Sequence, residues 1–448
     1  MANSIFKNIF IIPELRKRIF FTIGMLFIFR LGTHIPVPGI NLPALTEVVR
    51  QGGQSGLLGM INLFTGGGLL KFSIFGLGIM PYITSSIIMQ LLTVAIPHFE
   101  RLSKEGEQGR KKIQQYTRYG TIVIAAAQGF GYYQLLVHKY LPQNPMICEA
   151  GIGFMLTFVF TITVGTMFLM WIGEQMTERG IGNGISMLIF AGIVARLPQA
   201  VYQTATMVAN GALNPVSLII LGGILMLVIG FVVVEQTGTR KIPVQYAKRV
   251  VGRKVYGSQS THIPFKINPS GVIPIIFASS VMFFPAQIDQ FLGGKSELLT
   301  SITRWLDPTA SWFYYFFYTV LVVFFAYFYT AIQFNPNEIA DNLKKHGGFI
   351  PGIRPGPNTA TFLGRVLNRI TLPGAIFLAG IAVFPNVILL IPMFRTVPQS
   401  LVYLMGGTSL LIVVSVALDL MKKIESHLLM RHYDGFFQKG KLRSGRSR

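Results

Sequence analysis

The stretches "GIMPYITSS" (78–86) and "GVIPIIFAS" (271–279) place one pattern at two points of the chain, 193 residues apart. Each contains glycine, two apolar residues, proline, one further residue, isoleucine and, three places later, serine. A proline inside a long apolar helix removes a backbone hydrogen bond and kinks the helix. The repetition therefore predicts two membrane helices that are kinked in the same way.

Composition indicates a membrane protein with many spans. The 448 residues are 51% hydrophobic and 12% charged, whereas a soluble domain has about 25% charged residues. A helix needs about 20 mainly apolar residues to cross the hydrocarbon core. Ten spans are predicted, in residues 19–38, 72–97, 119–137, 150–173, 180–196, 197–234 (where the crossing follows a polar loop, 210–215), 267–288, 308–337, 370–394 and 396–418.

The first span resembles a secretory signal, because "LRKRIFFTIGMLFIF" (15–29) has a basic flank and an apolar core. No small-x-small cleavage site follows it, so we interpret it as a retained membrane span. Arg30 and His34 lie within this span. Arg30 is either a functional charge or a structural arginine whose guanidinium binds helix carbonyl groups.

The sequence gives no support for an enzyme, a cofactor or a metal site. The single cysteine, Cys148, has no partner for an internal disulfide, and no paired Cys and His spacing indicates a metal. There is no His-Glu-x-x-His motif, no nucleophile elbow and no ATPase motif. Energy for any transport must therefore come from a partner or from the proton gradient.

Charge asymmetry predicts the orientation. If the N-terminus is cytoplasmic, the loops on that side are 1–18, 98–118, 174–183, 235–269, 335–369 and the tail from Asp419, and they hold 31 of the 39 Lys and Arg residues. Lys and Arg collect on the cytoplasmic side of membrane proteins, so both termini are predicted to be cytoplasmic. The net charge of +22 also predicts attraction to anionic lipids.

This orientation makes the two motif copies antiparallel. Ten spans divide into five and five, which places each copy in the second span of its half. We predict a cytoplasmic N-terminus (1–18), an N-terminal half (19–200), a C-terminal half (201–422) and a basic tail (423–448). Inverted repeats place a pathway at the interface between the halves. The alternatives are a chance repetition and a secondary transporter of a small solute.

Isoleucines recur at four-residue spacing near the motif and elsewhere. Ile79 and Ile83 form one pair, Ile185 and Ile189 form another, and Ile276 takes the place of Ile83 in the second copy. Residues four apart share one face of a helix. Aliphatic side chains that converge on an axis would make a dry constriction. Ordinary helix packing is the alternative.

The segment "GLLGMINLFTGGG" (56–68) is too short to span a membrane. A short apolar helix followed by three glycines predicts a segment that re-enters the membrane from the outer side. An interfacial helix on the outer leaflet is the alternative.

Two basic loops are longer than simple connections. In 240–257, "RKIPVQYAKR" and "GRKVYG" predict a β-hairpin with a basic tip. In 335–369, Asn335 as cap and Pro336 as first residue predict a short helix that ends at Gly347 and Gly348. The prolines and glycines of "FIPGIRPGPNT" then hold Arg354 in a rigid loop, which suits docking to a carboxylate or a phosphate.

Seven motifs together resemble the SecY family of protein-conducting channels over essentially the full chain. They are "FRLGTHIPVPGI", "IFGLGIMPYITSSIIMQLLT", "EGEQGRKKIQQYTRYGT", "GTMFLMWIGEQMTERGIGNGIS", "INPSGVIPIIFASS", "FNPNEIADNLKKHGGFIPGIRPG" and "GGTSLLIVV". The resemblance implies an all-α polytopic membrane protein with ten transmembrane helices. It also implies two inverted five-helix halves around an hourglass pore, a short re-entrant plug helix, and a gate that opens sideways into lipid between spans two and seven.

The resemblance assigns roles to residues by their position in these motifs. The pore ring falls on Ile79, Ile83, Ile185, Ile189, Ile276 and Ile412; the plug on Leu57, Leu58, Met60, Ile61, Phe64 and Gly67; the lateral gate on Pro81, Ser86, Gln90, Pro274, Ser279 and Ser280; and partner docking on Lys248, Arg249, Arg253, Lys254 and Arg354.

The implied function is passage of unfolded secretory proteins across the membrane and sideways release of transmembrane segments. The implied partners are the SecE and SecG subunits, the SecA motor ATPase, ribosomes, signal sequences and unfolded preproteins, with YidC and SecD/SecF as further candidates. A secondary transporter would instead give saturable flux of a small solute.

Overall fold

A computed structural model describes most of the chain. The described residues are 12–51, 59, 62, 64–246, 249–251, 254–256, 260–292, 297–306, 312–394, 397–398, 401–403 and 406–441. The chain forms two compact units. Unit 1 contains Met1–Gln203, Ala286–Thr300 and Ile412–Arg448, and unit 2 contains Thr204–Pro285 and Ser301–Leu411. The predicted boundary between halves, at residues 200 and 201, stays a prediction.

Helices make up nearly all of unit 1. They are α1 (Pro13–Gly32), α2 (Leu42–Gln51), α3 (Met80–Ala95), α4 (Pro97–Lys104), α5 (Glu107–Leu135), α6 (Ile152–Arg179), α7 (Gly184–Val194) and most of α8 (Leu197–Ala209).

Unit 2 combines helices with a small amount of sheet. Its helices and strands begin with α9 (Pro215–Thr237), β1 (Thr239–Tyr246), β2 (Arg249–Val251), β3 (Lys254–Tyr256), β4 (Ser260–Lys266) and α10 (Ile273–Phe291), whose last turns belong to unit 1. They continue with α11 (Glu297–Trp305), which is shared with unit 1, then α12 (Trp312–Gln333), α13 (Pro336–Lys345), β5 (Gly348–Phe349) and α14 (Pro357–Leu390). The last helix, α15 (Gly407–Lys441), crosses from unit 2 into unit 1.

Six helical segments in the described part of the chain are long and apolar enough to cross a membrane. They are Glu107–His138, Ile152–Arg179, Gly184–Ala209, Pro215–Thr237, Trp312–Lys345 and Pro357–Leu390. A seventh candidate is the pair α3 and α4, which is bent by 99°. The three remaining predicted spans fall on α1, α10 and α15. Every predicted span therefore falls on a helix, and the total of ten stays a prediction.

Several span limits differ from the prediction. The second span was predicted from residue 72, but its helix α3 begins only at Met80, and the helix of the tenth span, α15, begins only at Gly407. Helix α1 ends at Gly32, so residues 33–38 are not helical; Pro36 and Pro38 lack the backbone N–H that a continuing helix would need. Residues 197–209 form α8, which extends the fifth span across a short break at Ala195 and Arg196. The helix of the sixth predicted span, α9, begins at Pro215, after the predicted polar loop. The Asn214 side chain accepts a hydrogen bond there from the Val216 N–H over 3.0 Å.

The prediction of two kinked helices was wrong. Pro81 is the second residue of α3 and Pro274 is the second residue of α10, so both prolines begin helices instead of interrupting them. The first turn of a helix has N–H groups without an intrahelical acceptor, so proline costs nothing there, and its fixed φ favours the helix.

The two basic loops pack together in unit 2. Strand β1 pairs with β4 in antiparallel register from Thr239 opposite Lys266 to Gln245 opposite Ser260, and the end of β1 also pairs with β5. Their apolar side chains form one core with α14, made of Ile242, Val244, Phe265, Ile350, Leu363, Val366, Leu367 and Ile370. We call residues 239–266 and 334–356 the basic platform.

The two predictions for the basic platform are confirmed, with one change of length. Asn335 caps α13, because its side chain accepts a hydrogen bond from the Asn337 N–H over 3.1 Å, and Gly347 has φ +69° just after the helix. The hairpin is longer than predicted. Its tip pairs β2 with β3, while β1 pairs with β4, which begins only at Ser260.

Candidate functional site

The two copies of the glycine-proline motif begin helices in the same way. Gly78 has φ +58° and Gly271 has φ +62°. In each copy the helix begins two residues after this glycine and has proline as its second residue. A positive φ is available to glycine without steric cost. The motif is therefore a helix-start signal used once in each unit.

A run of turns precedes the first of these helix starts, in residues 69–78, with one isolated β-bridge between Ser73 and Pro36. In lipid each backbone polar group needs a partner within the protein. Phe72 supplies its carbonyl oxygen to the Val37 N–H at 2.9 Å, and Ile74 donates its N–H to the Ile35 carbonyl oxygen at 3.0 Å. The Tyr132 hydroxyl donates to the Leu69 carbonyl oxygen. Partners distant in sequence, together with local turn bonds such as that from the Gly76 N–H to the Ser73 carbonyl oxygen at 2.8 Å, thus replace the hydrogen bonds of a helix.

Aromatic packing holds this run of turns. Phe72 is fully buried, and its ring stacks on that of Tyr132 with centroids 4.4 Å apart and planes at 6°. Offset aromatic pairs of this kind contribute about 0.5–1.5 kcal/mol beyond their buried area. The backbone also runs so close to α6 that a Cβ added at Gly165 would lie 2.0 Å from the Ile74 carbonyl oxygen. The position of the first motif therefore depends on α5 and α6.

The predicted pore-ring isoleucines are distributed over both units, with Ile276 in unit 2 and the other five in unit 1. Ile79 is the residue before α3, and its carbonyl oxygen accepts a hydrogen bond from the Ile83 N–H at 3.1 Å. The buried members are Ile79, Ile83, Ile189 and Ile412, and the partly buried members are Ile185 and Ile276. The ring as a whole stays a prediction.

A side-chain cap orients the second isoleucine pair. The Asn183 side chain accepts hydrogen bonds from the N–H groups of Ile185 and Ser186, at 3.0 and 3.3 Å, and so begins α7. Asparagine is among the preferred residues for this position. Ile185 approaches α6, because a Cβ added at Gly173 would lie 3.1 Å from its Cγ1.

The predicted plug lies mostly outside the described residues, which include neither Leu57 and Leu58 nor Met60 and Ile61. Residues 59, 62 and 64 are helical, and the last of these is the predicted plug residue Phe64. Gly66 and Gly67 follow it with φ of +67° and +91°. A compact turn follows this helix. The Asn62 carbonyl oxygen accepts from the Gly67 N–H at 3.0 Å, and the Asn62 side chain accepts from the Leu70 N–H at 3.2 Å.

The predicted gate residues lie on α3 and α10. On α3, Ser86 accepts a hydrogen bond from the Gln90 amide at 3.4 Å, while the neighbouring Ser85 donates to the Thr117 carbonyl oxygen of α5 at 2.7 Å. On α10, Ser279 and Ser280 are buried and donate to carbonyl oxygens one turn earlier in their own helix. The gate assignment stays a prediction.

A polar contact that the sequence did not indicate joins the far end of α10 to α5. The side-chain amide of Gln128 donates to the Gln287 side-chain oxygen over 2.8 Å, and the rings of Phe130 and Phe291 lie 5.1 Å apart. All four residues belong to unit 1. The sequence shows one glutamine in each of these two predicted spans, but it does not show that the two side chains contact each other.

The predicted docking residues lie on the basic platform. Arg354 is exposed, and its carbonyl oxygen accepts a hydrogen bond from the Thr359 hydroxyl at 2.9 Å. Gly352 and Gly356 on either side have φ of +81° and +109°. Arg249 and Lys254 lie on the paired strands β2 and β3, and Lys248 and Arg253 lie outside the described residues.

The arrangement offers surfaces for passage and docking rather than groups for catalysis. Across the described ranges, no group of three or more His, Cys, Asp or Glu side chains is placed to hold a metal ion. Glu174, the acidic residue at the end of the fourth predicted span, binds Arg118 of α5 through two contacts of 2.8 and 3.0 Å. A paired carboxylate of this kind connects two helices.

Comparison with known proteins identifies close relatives. The SecY family model matches residues 73–421. "Protein translocase subunit SecY" of Vibrio cholerae serotype O1 is 46% identical over 440 residues, which cover 96% of this chain and 96% of the relative. The subunit of the same name from Streptomyces coelicolor is 45% identical over 97% of this chain and 99% of its own.

Solved structures share the fold. "The structure of a protein conducting channel" aligns with a TM-score of 0.64 at 17% identity and covers 92% of both chains. "Sec61 in the Canine ribosome-channel complex from the endoplasmic reticulum" aligns with a TM-score of 0.61 at 17% identity, also over 92% of both chains. These similarities confirm the predicted fold class, a helical membrane protein with multiple spans.

Proposed function

The chain belongs to the SecY family, and from this premise we propose that it is the protein-conducting channel of a bacterial translocase. It passes unfolded secretory proteins across the membrane and is not an enzyme. The observation that carries this proposal is the near full-length similarity to translocase subunits. The relatives and solved structures named above give no support to the secondary-transporter alternative.

The six isoleucines form the constriction of this channel. Ile79 and Ile83 start α3, and Ile276 holds the equivalent place in the first turns of α10. A ring of aliphatic side chains excludes water and ions when no polypeptide is present, since a narrow apolar pore gates by dewetting. The burial of four of the six supports a dry site.

The matched helix starts form the two sides of a lateral gate that releases transmembrane segments into lipid. Proline in the first turn removes no helical hydrogen bond from either helix, and α3 and α10 move apart when the gate opens; α10 also contains Pro285 in its interior. In this gate, the hydrogen bond between the Gln128 and Gln287 side chains is a polar contact at the C-terminal end of α10. The turn at Gly66–Gly68 connects the plug to the run of turns before α3.

The basic platform is cytoplasmic and receives the partners that drive transport. Arg354 is exposed on a loop whose backbone is fixed by Thr359, which supports recognition of a planar carboxylate or phosphate by its guanidinium. The motor ATPase SecA is the proposed partner there, and ribosomal RNA is the proposed partner of the hairpin tip. SecE and SecG complete the complex in the bacterial inner membrane, with both termini of this chain cytoplasmic.

Crosslinking a translocating chain tests this function. A photoreactive amino acid replaces Ile83, and a secretory precursor is stalled during transport into vesicles that contain the complete translocase. The hydrophilic part of the precursor should crosslink at position 83. The same probe at Phe160, which is 71% exposed on α6, is the control and should label lipid. Absence of a precursor adduct at position 83, with transport intact, would contradict the proposal.

A further inference from the structure

Arg30 is the arginine within the first predicted span, and its partner is a backbone carbonyl group. Its Nη1 donates to the Gly66 carbonyl oxygen over 2.7 Å. This bond connects the last turn of α1 to the glycine turn that follows the predicted plug. Hydrogen bonds with an ionised partner are stronger than neutral ones.

The same turn packs against α7 on its other side. A Cβ added at Gly66 would lie 3.1 Å from the Gly192 Cα, and one added at Gly192 would lie 3.0 Å from the Phe64 carbonyl oxygen. A side chain at either glycine would require its neighbour to move by a few tenths of an ångström. Gly192 follows Ile189 by three residues on α7, so the two share one face of the helix. The turn therefore contacts the face of α7 that carries a predicted ring residue.

Other cations lie close to Arg30. Burial, and after it the charges of Arg30 and Arg196, lowers the pKa of Lys71. A Cβ added at Gly67 would lie 3.9 Å from the Arg196 Nε. Repulsion among these charges opposes their assembly around the turn. The hydrogen bond from Arg30 to Gly66 offsets part of this repulsion.

We propose that Arg30 is a positioning residue that holds the glycine turn after the plug against α7, so that opening of the channel has to break its bond to Gly66. We call this contact the Arg30–Gly66 clamp. The inference rests on the proposed function, in which the plug closes the pore. It assigns a mechanical role to a charge within the membrane that need not touch the transported chain.

Hydrogen exchange measures the clamp without requiring transport. The amides of Gly67 and Gly68 are bonded within the turn, to the carbonyl oxygens of Asn62 and Thr65. In Arg30→Gln, these amides should exchange about tenfold faster, because a hydrogen bond from a charged group is lost. Lys71→Gln is the control, since it removes one positive charge, and with it some repulsion, from the same cluster; the amides should exchange no faster than in the original chain. Equal exchange in both variants would overturn the clamp.

Two further measurements separate the clamp from general damage and from the proposed function. The peptide that covers residues 15–29 of α1 should exchange equally in all variants; faster exchange there would mean that Arg30 only stabilises its own helix. Gly66→Ala should also speed exchange in the turn. Adding Arg30→Gln to Gly66→Ala should raise the exchange rate by a smaller factor than Arg30→Gln does in the original chain, because the two changes disrupt the same contact. Strictly additive effects would contradict the clamp.

Idle ion conductance in planar bilayers then connects the clamp to channel closure. Arg30→Gln should conduct more than the original channel, whereas Lys71→Gln should conduct no more than the original channel. If the amides of the original chain exchange as expected but the chain does not transport a precursor with its motor, the proposed function is contradicted and the clamp stands. A transporting channel whose idle conductance is unchanged in Arg30→Gln would overturn the clamp's role in closure.

Discussion

Gly78 and Gly271 adopt the same left-handed backbone conformation, with φ of +58° and +62°, although 193 residues separate them. Each glycine ends an irregular segment, and each is followed by a helix whose second residue is proline. The two surroundings differ. A Cβ at Gly78 would lie 3.1 Å from the Thr65 Cγ2, whereas a Cβ at Gly271 would meet nothing within 4 Å.

This difference predicts unequal costs for the two alanine variants. Gly271→Ala should lower the free energy of unfolding by roughly 1–2 kcal/mol, the strain of a left-handed residue that has a Cβ. Gly78→Ala should cost more, because Thr65 must also move. Gly223→Ala, on α9 with open space around it, is the control and should be neutral or stabilising. Thermal unfolding of the purified chain in detergent measures all three, and equal effects of the first two would contradict the argument.

A second prediction concerns the isoleucine constriction. Ile83→Ser combined with Ile189→Ser should raise idle ion conductance, because a hydroxyl group at these positions allows water to enter an apolar pore. Ile219→Ser, at a side chain that is 75% exposed on α9, should leave conductance unchanged. Single-channel recording in planar bilayers gives the comparison. The same leak in all three chains would show that the isoleucines are ordinary packing residues.

A third prediction concerns the lateral gate. In a Cys148→Ala background, paired cysteines in the regions of Ser86 and Ser279 should form a disulfide on oxidation and block insertion of a signal sequence. Reduction should restore insertion, and each single-cysteine chain should insert normally under oxidation. The gate assignment fails if no pair drawn from 82–90 and 275–283 can be crosslinked.

A fourth prediction concerns Arg354. Arg354→Lys should reduce transport driven by the motor while membrane insertion and abundance of the chain stay normal, because lysine keeps the charge but lacks the two-pronged guanidinium. The matched control is Arg365→Lys, the same change at an exposed position of α14. Transport of a secretory precursor into vesicles is the measurement. Full activity of Arg354→Lys would reduce this arginine to a topological charge.

A fifth prediction concerns the hairpin tip. Ribosome binding should weaken with salt and with each Lys or Arg removed from 248–254, because several point charges that face RNA phosphates act together through counterion release. Each removed phosphate contact should lower the slope of log affinity against log salt by about 1. Arg304→Gln, on α11 in a predicted outer loop, is the control and should not change the slope. Binding that is independent of salt would contradict the hairpin's role.

Properties that depend on local composition could be predicted from the sequence. Hydropathy depends on each segment's own side chains, so every predicted span falls on a helix. The start of α13 was correct because Asn335 caps it through its own side chain and Pro336 needs no hydrogen bond. The hairpin was correct in position, since alternation and turn residues are local signals.

What the tertiary structure alone decided is where backbone groups find partners distant in sequence. The apolar run from Phe72 was predicted to belong to a membrane span, but residues 72–79 form turns and one isolated β-bridge, because Val37, Ile35 and Tyr132 supply hydrogen bonds to this part of the backbone. The partner of Arg30 was undetermined for the same reason. A guanidinium binds any nearby carbonyl group, and only the packing of the glycine turn against α7 brings Gly66 within 2.7 Å.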